Sequence, residues 1–332
     1  MTNREDRLID RIRKKIPSAA GGILRAGIGD DAAVLRAPAS SEWLVTVDPF
    51  IEDVHFLADA YPPDAVGWKA LVRATSDIAA MGAMPQLFLL SLAIPAKRTG
   101  RWLDAMLAGM ARAAERLGLR LAGGDTAQSS RKNPKVSISV TVFGTVQRGR
   151  ALLRSGARPG DAIFVTGRLG AAQLGLELIL RGLHRERRWK KQLAAQFYPQ
   201  IFPGLAAWLA EHRLATAMMD ISDGLSTDLD RLCRASGVGA RIHAATFLSA
   251  NVPRELARLR LDPLKLALHG GEDYGLLFTV PKRLASRIPR APGDVPLTRI
   301  GKIVPGRGVR LVAVGGSSSL LVARGWDHFS KR

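Results

Sequence analysis

Five acidic stretches carry the side chains best suited to chemistry. Asp30 and Asp31 follow Gly27–Gly29, in "GIGDDAAV". Asp48 closes the apolar run "EWLVTVD", and Asp125 follows "AGG". Asp220 and Asp223 lie in "MDISDG", and Glu272 and Asp273 follow "HGG". Each stretch reads as a strand giving way to a glycine turn, where the backbone can approach a ligand and where α/β sheets bind one. Asp77 differs, because Ala70, Ala74 and Met81 share its helical face. A carboxylate on so small and apolar a face needs a metal, a cation or a cage of hydrogen bonds. One acidic turn is most often only a turn or a helix cap. Several converging acids would repel one another strongly without counter-ions. Hard, oxygen-seeking cations resolve that repulsion; Mg²⁺ is the common one, and it keeps sites open for phosphate oxygens. The pattern points to metal-assisted phosphoryl transfer.

Composition narrows the field. The chain has 332 residues, 49 basic against 29 acidic, and a formal net charge of +20. That surplus suits an anionic partner such as a polyphosphate, although a solvated basic surface or a nucleic-acid-binding role would also produce it. The arginines are dispersed rather than gathered on one aromatic-laced stretch, which argues against nucleic acid. Cys233 is the sole cysteine, so a disulfide within the chain and a cysteine zinc cage are excluded. No apolar run reaches membrane-spanning length and the N-terminus lacks a signal-peptide core, so a cytoplasmic enzyme is expected. There is no P-loop, no G-x-S-x-G elbow and no H-E-x-x-H pair. "TGRLGAAQLG" opens a helix with glycines, a weak phosphate signal by itself.

The elements that must position these acids are read from periodicity. Helices are expected over 4–16, 62–82, 99–118, 171–181 and 225–235. Buried strands are expected over 42–48 and 85–95, and a half-buried one over 136–146, where apolar and polar residues alternate. Further strands are expected over 162–166, 217–220, 240–243, 274–280 and 297–304. The Gly- and Arg-rich stretch 147–161 marks a break, giving domains 1–148 and 149–332, each an α/β or α+β layer structure. The basic run His184–Lys191 reads as a solvated helix face or loop, and Trp326 and Phe329 suggest a docked tail.

Taken in order, the stretches are similar to one family. "GIGDDAAV", "VTVDPFIEDVHF", "SDIAAMGAMP", "AGGDT", "RSGARPGD", "MDISDGLSTDL", "GGEDYGLLFTV" and "GWDHF" resemble the thiamine-monophosphate kinases, of the aminoimidazole-ribonucleotide-synthetase-like superfamily of ATP-dependent enzymes. The resemblance implies a two-domain α/β fold and a homodimer in which the N-terminal sheets pair across the interface. It implies in-line transfer of the γ-phosphate of ATP to thiamine monophosphate, assisted by several Mg²⁺ ions. Position by position, it implies metal ligands at Asp30, Thr46, Asp48, Asp77, Asp125, Asp220 and Asp223, with weaker support for Asp31. It implies nucleotide contacts at Gly124, Asp125, Arg154 and Ser222, and acceptor contacts at His55, Glu272 and Trp326. Asp228 fits a supporting role better than a ligand's. Asp53, His269, Gly275, Leu107 and Val47 depart from the usual pattern. Another enzyme of the superfamily, acting on a purine-pathway intermediate, is the alternative; neither nucleic acid nor membrane is an expected partner.

Overall fold

The alternation of "VSISVTVFGTV" organises the first half of the chain. In the computed structural model, which describes residues 11–12, 14–16, 23–26, 34–35, 39–248 and 259–326, this stretch is strand β6. The chain divides into two compact units, one of residues 1–78 and 83–149, the other of residues 79–82 and 150–332. The expected helix over 4–16 and the "GIGDD" stretch with Asp30 and Asp31 lie mostly or wholly outside the described residues.

The first unit begins with the short pair β1 (Leu24–Ala26) and β2 (Val34–Leu35). It then builds a four-stranded sheet from β3 (Ser41–Ile51), β4 (Met84–Ile94), β5 (Arg120–Gln128) and β6 (Ser137–Gln147), in the order β3-β6-β4-β5. Helix α1 (Pro63–Ala80) starts on a proline, which has no N–H to leave unpaired in the first turn. Helix α2 (Arg101–Leu117) stops at Gly118 in the left-handed conformation. The two helices cross backbone to backbone. A Cβ on Gly67 would lie 1.9 Å from the Met106 carbonyl oxygen, and one on Gly109 would lie 1.8 Å from that of Asp64. Ile138, Val140 and Val142 of β6 are fully buried, as are Val66 and Leu71 of α1 and Met106 and Leu107 of α2.

Two sequence readings are corrected here. β3 runs on to Ile51, so Asp48 sits within the strand, and the strand is not buried: Val45 and Val47 are 64% and 62% exposed. β3 is an edge strand, which is why Pro49, lacking a ladder donor, does not end it. Asp125 likewise lies inside β5 rather than in a turn, because an irregularity in the β4 pairing beside Gly123 lets a glycine-rich segment continue as strand.

The second unit is a seven-stranded, mostly antiparallel sheet. Its strands are β7 (Ala162–Thr166), β8 (Ala217–Ile221), β9 (Gly239–His243), β10 (Gly275–Val280), β11 (Leu297–Val304), β12 (Gly308–Val312) and β13 (Ser318–Leu320), ordered β13-β12-β9-β11-β7-β10-β8. β7, β8 and β10 are buried along their whole length, because separate apolar layers cover both faces. One layer joins Met219, Ile221 and Leu277 to Leu225, Leu229 and Cys233; the other joins Met218, Phe164 and Phe278 to Leu205 and Leu209. The α-helices of seven residues or more among the described residues are α3 (Ala171–Leu180), α4 (Lys190–Phe197), α5 (Pro203–Glu211), α6 (Leu225–Ser236) and α7 (Pro263–His269). The basic run at 184–191 forms two short 3₁₀ turns leading into α4, with Trp189 buried. Among the described residues no helix is long and apolar enough to cross a membrane.

The helix crossing yields a direct expectation. Gly67→Ala forces a side chain into the α2 backbone and should destabilise the chain by about 3 kcal/mol or more, read from urea or thermal unfolding.

Candidate active site

In the first unit, strand alternation and helical spacing together place the acids. Thr46 and Asp48 share one pleat of β3. Lys69, Arg73 and Asp77 stand four residues apart on α1, so they form one row along the helix. The Thr46 hydroxyl donates to Asp77 Oδ2 at 2.8 Å. Arg73 clasps Asp48 with both arms of its fork, Nε to Oδ2 at 2.6 Å and Nη2 to Oδ1 at 2.9 Å. Its guanidinium also lies 5.4 Å from the Phe50 ring centroid. Lys69 is fully buried, its ammonium 5.6 Å from the Tyr61 ring centroid. Asp77 is half-buried, and the Thr46 donor answers its charge, the kind of support its place on an apolar helix demanded.

Past the end of β3, the Ile51 N–H donates to His55 Nδ1 at 3.0 Å. That bond puts the ring proton of neutral His55 on Nε2. Asp53 adopts a φ of +67°, the left-handed region that favours glycine, and its exposed carboxylate pairs with Lys135.

Asp125 does not join these groups within its own sheet. β3 and β5 are opposite edges, three strand spacings or about 14 Å apart. Asp125 falls in the row of Ser91, Ser139 and Pro49, on the pleat opposite to Asp48. Gly124 and Asp125 are both exposed.

In the second unit, turns from three parts of the chain meet beside the β8–β10 ladder. Asp220 is buried on β8, opposite Leu276. The next turn, Ser222–Gly224, leads into α6. The Ser222 carbonyl accepts from the Glu272 N–H at 2.7 Å, and that of Ile221 from the Tyr274 N–H at 2.9 Å. These bonds hold Glu272 and Tyr274 at positive φ, 64° and 49°. Gln196 of α4 donates to Glu272 Oε2 at 2.7 Å and so aims that carboxylate. Asp228 Oδ2 accepts from the N–H groups of Asp223 and Gly224 at 3.1 and 3.0 Å, and Arg231 pairs with both Asp223 and Asp228. Asp228 therefore closes the start of α6. The Trp326 N–H donates to the Asp223 carbonyl at 2.9 Å. Arg154 is exposed and pairs with no carboxylate among the described residues; its carbonyl accepts from Ser236.

Several ionisable groups of this unit are shifted. Burial, and then the nearby Asp223 charge, push Asp228 up to about 6 against the pull of Arg231. Asp273 accepts from the Gly170 and Ala172 N–H groups at 2.6 and 3.1 Å, so it fills the start of α3 that the sequence offered as a phosphate cradle. Its carboxylate is enclosed there, and burial pushes it up to about 7. His269 is lowered, by burial first and then by Arg324 and Lys265. Cys233 is buried and its thiol is pushed up to about 12, which removes it as a nucleophile.

Thr46, Asp48, Asp77, Asp125, Asp220 and Asp223 offer only oxygen donors, the set a hard divalent cation takes. Asp48 and Asp223 each already hold a guanidinium, so both positions take positive charge. Among the described residues, no three His, Cys, Asp or Glu side chains converge into a metal-binding group.

Comparison with known proteins gives this arrangement its family. The description "AIR synthase related protein, N-terminal domain" matches residues 29–146, and its C-terminal counterpart matches residues 158–314. The thiamine-monophosphate kinase of Aquifex aeolicus is 35% identical over 325 residues, covering 97% of each chain. The chain belongs to the thiamine-monophosphate kinase family. Solved structures agree with the family's fold. The thiamine-monophosphate kinase of Stenotrophomonas maltophilia is 33% identical with a TM-score of 0.81, covering 96% of this chain and 99% of that one. AaThiL complexed with AMPPCP and TMP is 34% identical with a TM-score of 0.78, covering 91% and 92%. Against this thiamine-monophosphate kinase frame, reading the acids alone missed Arg73, Arg231 and Gln196. Spacing could have found the first two, four residues before Asp77 and three after Asp228. Nothing local marks Gln196, which is 76 residues from Glu272.

Asp273 supplies a pH expectation. Its folded-state value of about 7 exceeds the ordinary 3.8, so the folded chain holds a proton that the unfolded chain releases. That contribution is complete below the ordinary value and is lost as pH rises through about 7. Urea midpoints should fall from pH 5 to pH 8 more steeply in the wild type than in Asp273→Asn.

Proposed function

We propose that the chain transfers the terminal phosphoryl group of ATP to the phosphate of thiamine monophosphate, giving ADP and thiamine diphosphate. The observation that carries this is the likeness over nine-tenths of the chain to AaThiL complexed with AMPPCP and TMP. The chemistry agrees. The acceptor is a phosphate, already ionised at neutral pH, so no general base is needed. The protein has to neutralise charge and align the two phosphates.

In this reading Asp30, Thr46, Asp48, Asp77, Asp125, Asp220 and Asp223 hold Mg²⁺. The bound metal neutralises charge between the phosphate groups. Gly124 and Ser222 approach the nucleotide by backbone and hydroxyl, and the exposed Arg154 reaches its phosphates. The His55 Nε2–H donates to the acceptor, Glu272 orients it, and Trp326 stacks on its ring. Lys69 and Arg73 lend positive charge to the row that ends in Asp77.

The same reading includes a homodimer working in the cytoplasm, with neither nucleic acid nor membrane as a partner. Its support is the open face of the first sheet, where Val45, Val47 and Met84 stand exposed. Asp125 belongs to that same face. Val47→Asp should yield monomers in sedimentation velocity and abolish turnover together.

The deciding assay supplies ATP, Mg²⁺ and thiamine monophosphate and follows ADP and thiamine diphosphate by chromatography. Equal amounts of both products are expected. Turnover of a purine-pathway ribonucleotide with none of thiamine monophosphate would overturn the assignment. Asp77→Asn should lose about a hundredfold or more in kcat while its thermal midpoint stays near the wild-type value.

A further inference from the structure

Residues 321–326, beyond β13, return to the Asp223 turn as irregular chain. Leu321 still bonds to β12, its N–H donating to the Val309 carbonyl at 2.8 Å. Three successive N–H groups then find acceptors on one short stretch of chain. That of Arg324 donates to Ser226 Oγ at 3.3 Å, that of Gly325 to Thr227 Oγ1 at 2.9 Å, and that of Trp326 to the Asp223 carbonyl at 2.9 Å. All three acceptors belong to the Asp223 turn and the first turn of α6.

Hydroxyls in a first helical turn commonly serve the helix's own N–H groups. Here Asp228 serves the N–H groups just before the helix, those of Asp223 and Gly224, and Ser226 and Thr227 serve the returning tail. Ser226 is fully buried, and its Oγ accepts from the Arg324 N–H and shares a hydrogen bond with His269 Nδ1 at 2.9 Å. Gly325 lies so close that a Cβ would sit 2.0 Å from the Asp223 carbonyl oxygen and 2.6 Å from Thr227 Oγ1. The tail is therefore seated backbone to backbone on the turn that carries Asp223. The residue that follows the contact is Trp326.

We infer that Thr227 and Ser226, acting through Gly325, are positioning residues that hold Trp326 for the aromatic ring of the acceptor. This rests on the kinase reading above and assigns a task within it. The turn presenting Asp223 to the phosphate end also carries the ring platform, so one rigid step sets the spacing between them. Loosening the strap lowers acceptor affinity and leaves the nucleotide's contacts in place. Held acceptor continues to react, so KM for the acceptor changes while kcat does not.

The test has two arms on the full-length chain. The first follows amide hydrogen exchange at Arg324–Trp326 without ligands. Thr227→Val should speed exchange at Gly325, and Thr227→Ser, which keeps the hydroxyl, should restore protection. The second measures steady-state kinetics. Thr227→Val should raise KM for thiamine monophosphate about tenfold, with kcat and KM for ATP within about twofold. Thr227→Ser should return KM to near the wild-type value. In a Trp326→Leu background Thr227→Val should add nothing, because its effect runs through that ring. Unchanged exchange overturns the docking. Faster exchange with unchanged acceptor KM, or full additivity with Trp326→Leu, overturns the positioning role. A wild-type chain without turnover of thiamine monophosphate overturns the kinase reading and the acceptor role with it, while the exchange arm still decides the docking.

Discussion

Carboxylates set close together repel by roughly 4 kcal/mol at 4 Å in a medium typical of a protein surface. The described acids of the site are arranged around that cost. Asp48 receives the fork of Arg73, Asp77 accepts a hydrogen bond from the Thr46 hydroxyl, and Asp223 shares Arg231 with Asp228. At Asp228 burial, and then the Asp223 charge, outweigh the shared Arg231, so this acid keeps a raised affinity for its proton. In the first unit the answering groups cross between elements, Arg73 of α1 serving Asp48 of β3 and Thr46 of β3 serving Asp77 of α1, whereas α6 supplies Arg231 to its own Asp228. Four-residue helical spacing gives Arg73 and Asp77, and three-residue spacing gives Asp228 and Arg231. In each unit these pairings are in place before any phosphate arrives.

How much of this could be read in advance differs by element. β6 was legible because a single face of it is buried, and alternation records that directly. β7, β8 and β10 were legible as apolar runs, since both their faces are covered. β5 was not, because Gly123 and Gly124 carry the composition of a turn, and only pairing with β4 keeps them extended. The end of β3 was misjudged for a related reason. Pro49 signals a stop unless the strand is an edge, and edges are a property of the finished sheet. Helices α4 and α5 follow a basic run that conceals their apolar faces.

The candidate site was legible as a set of residue types and much less as a set of neighbours. Sequence order could not reveal that β3 and β5 bound the sheet on opposite sides, and this separates Asp125 from Asp48. The glycine turn before α3 looked open to an anion, yet a carboxylate 103 residues away from Gly170 already fills it. Asp53, by contrast, makes sense of a local departure. Its backbone adopts the conformation glycine prefers, and the residue meets that constraint while adding a surface ion pair.

The crossing of α1 and α2 reaches beyond packing. Gly67 locks α1 against the α2 backbone only two residues before Lys69, the first charge of the row that runs through Arg73 to Asp77. A helix turns about 100° with each residue. One residue inserted after Gly67 would therefore swing all three charges a quarter-turn or more away from β3, with every side chain still present. Along this helix what must be inherited is the count of residues between glycine and aspartate. Lineages can vary the exposed side of α1 freely, but length changes belong in the loops that flank it.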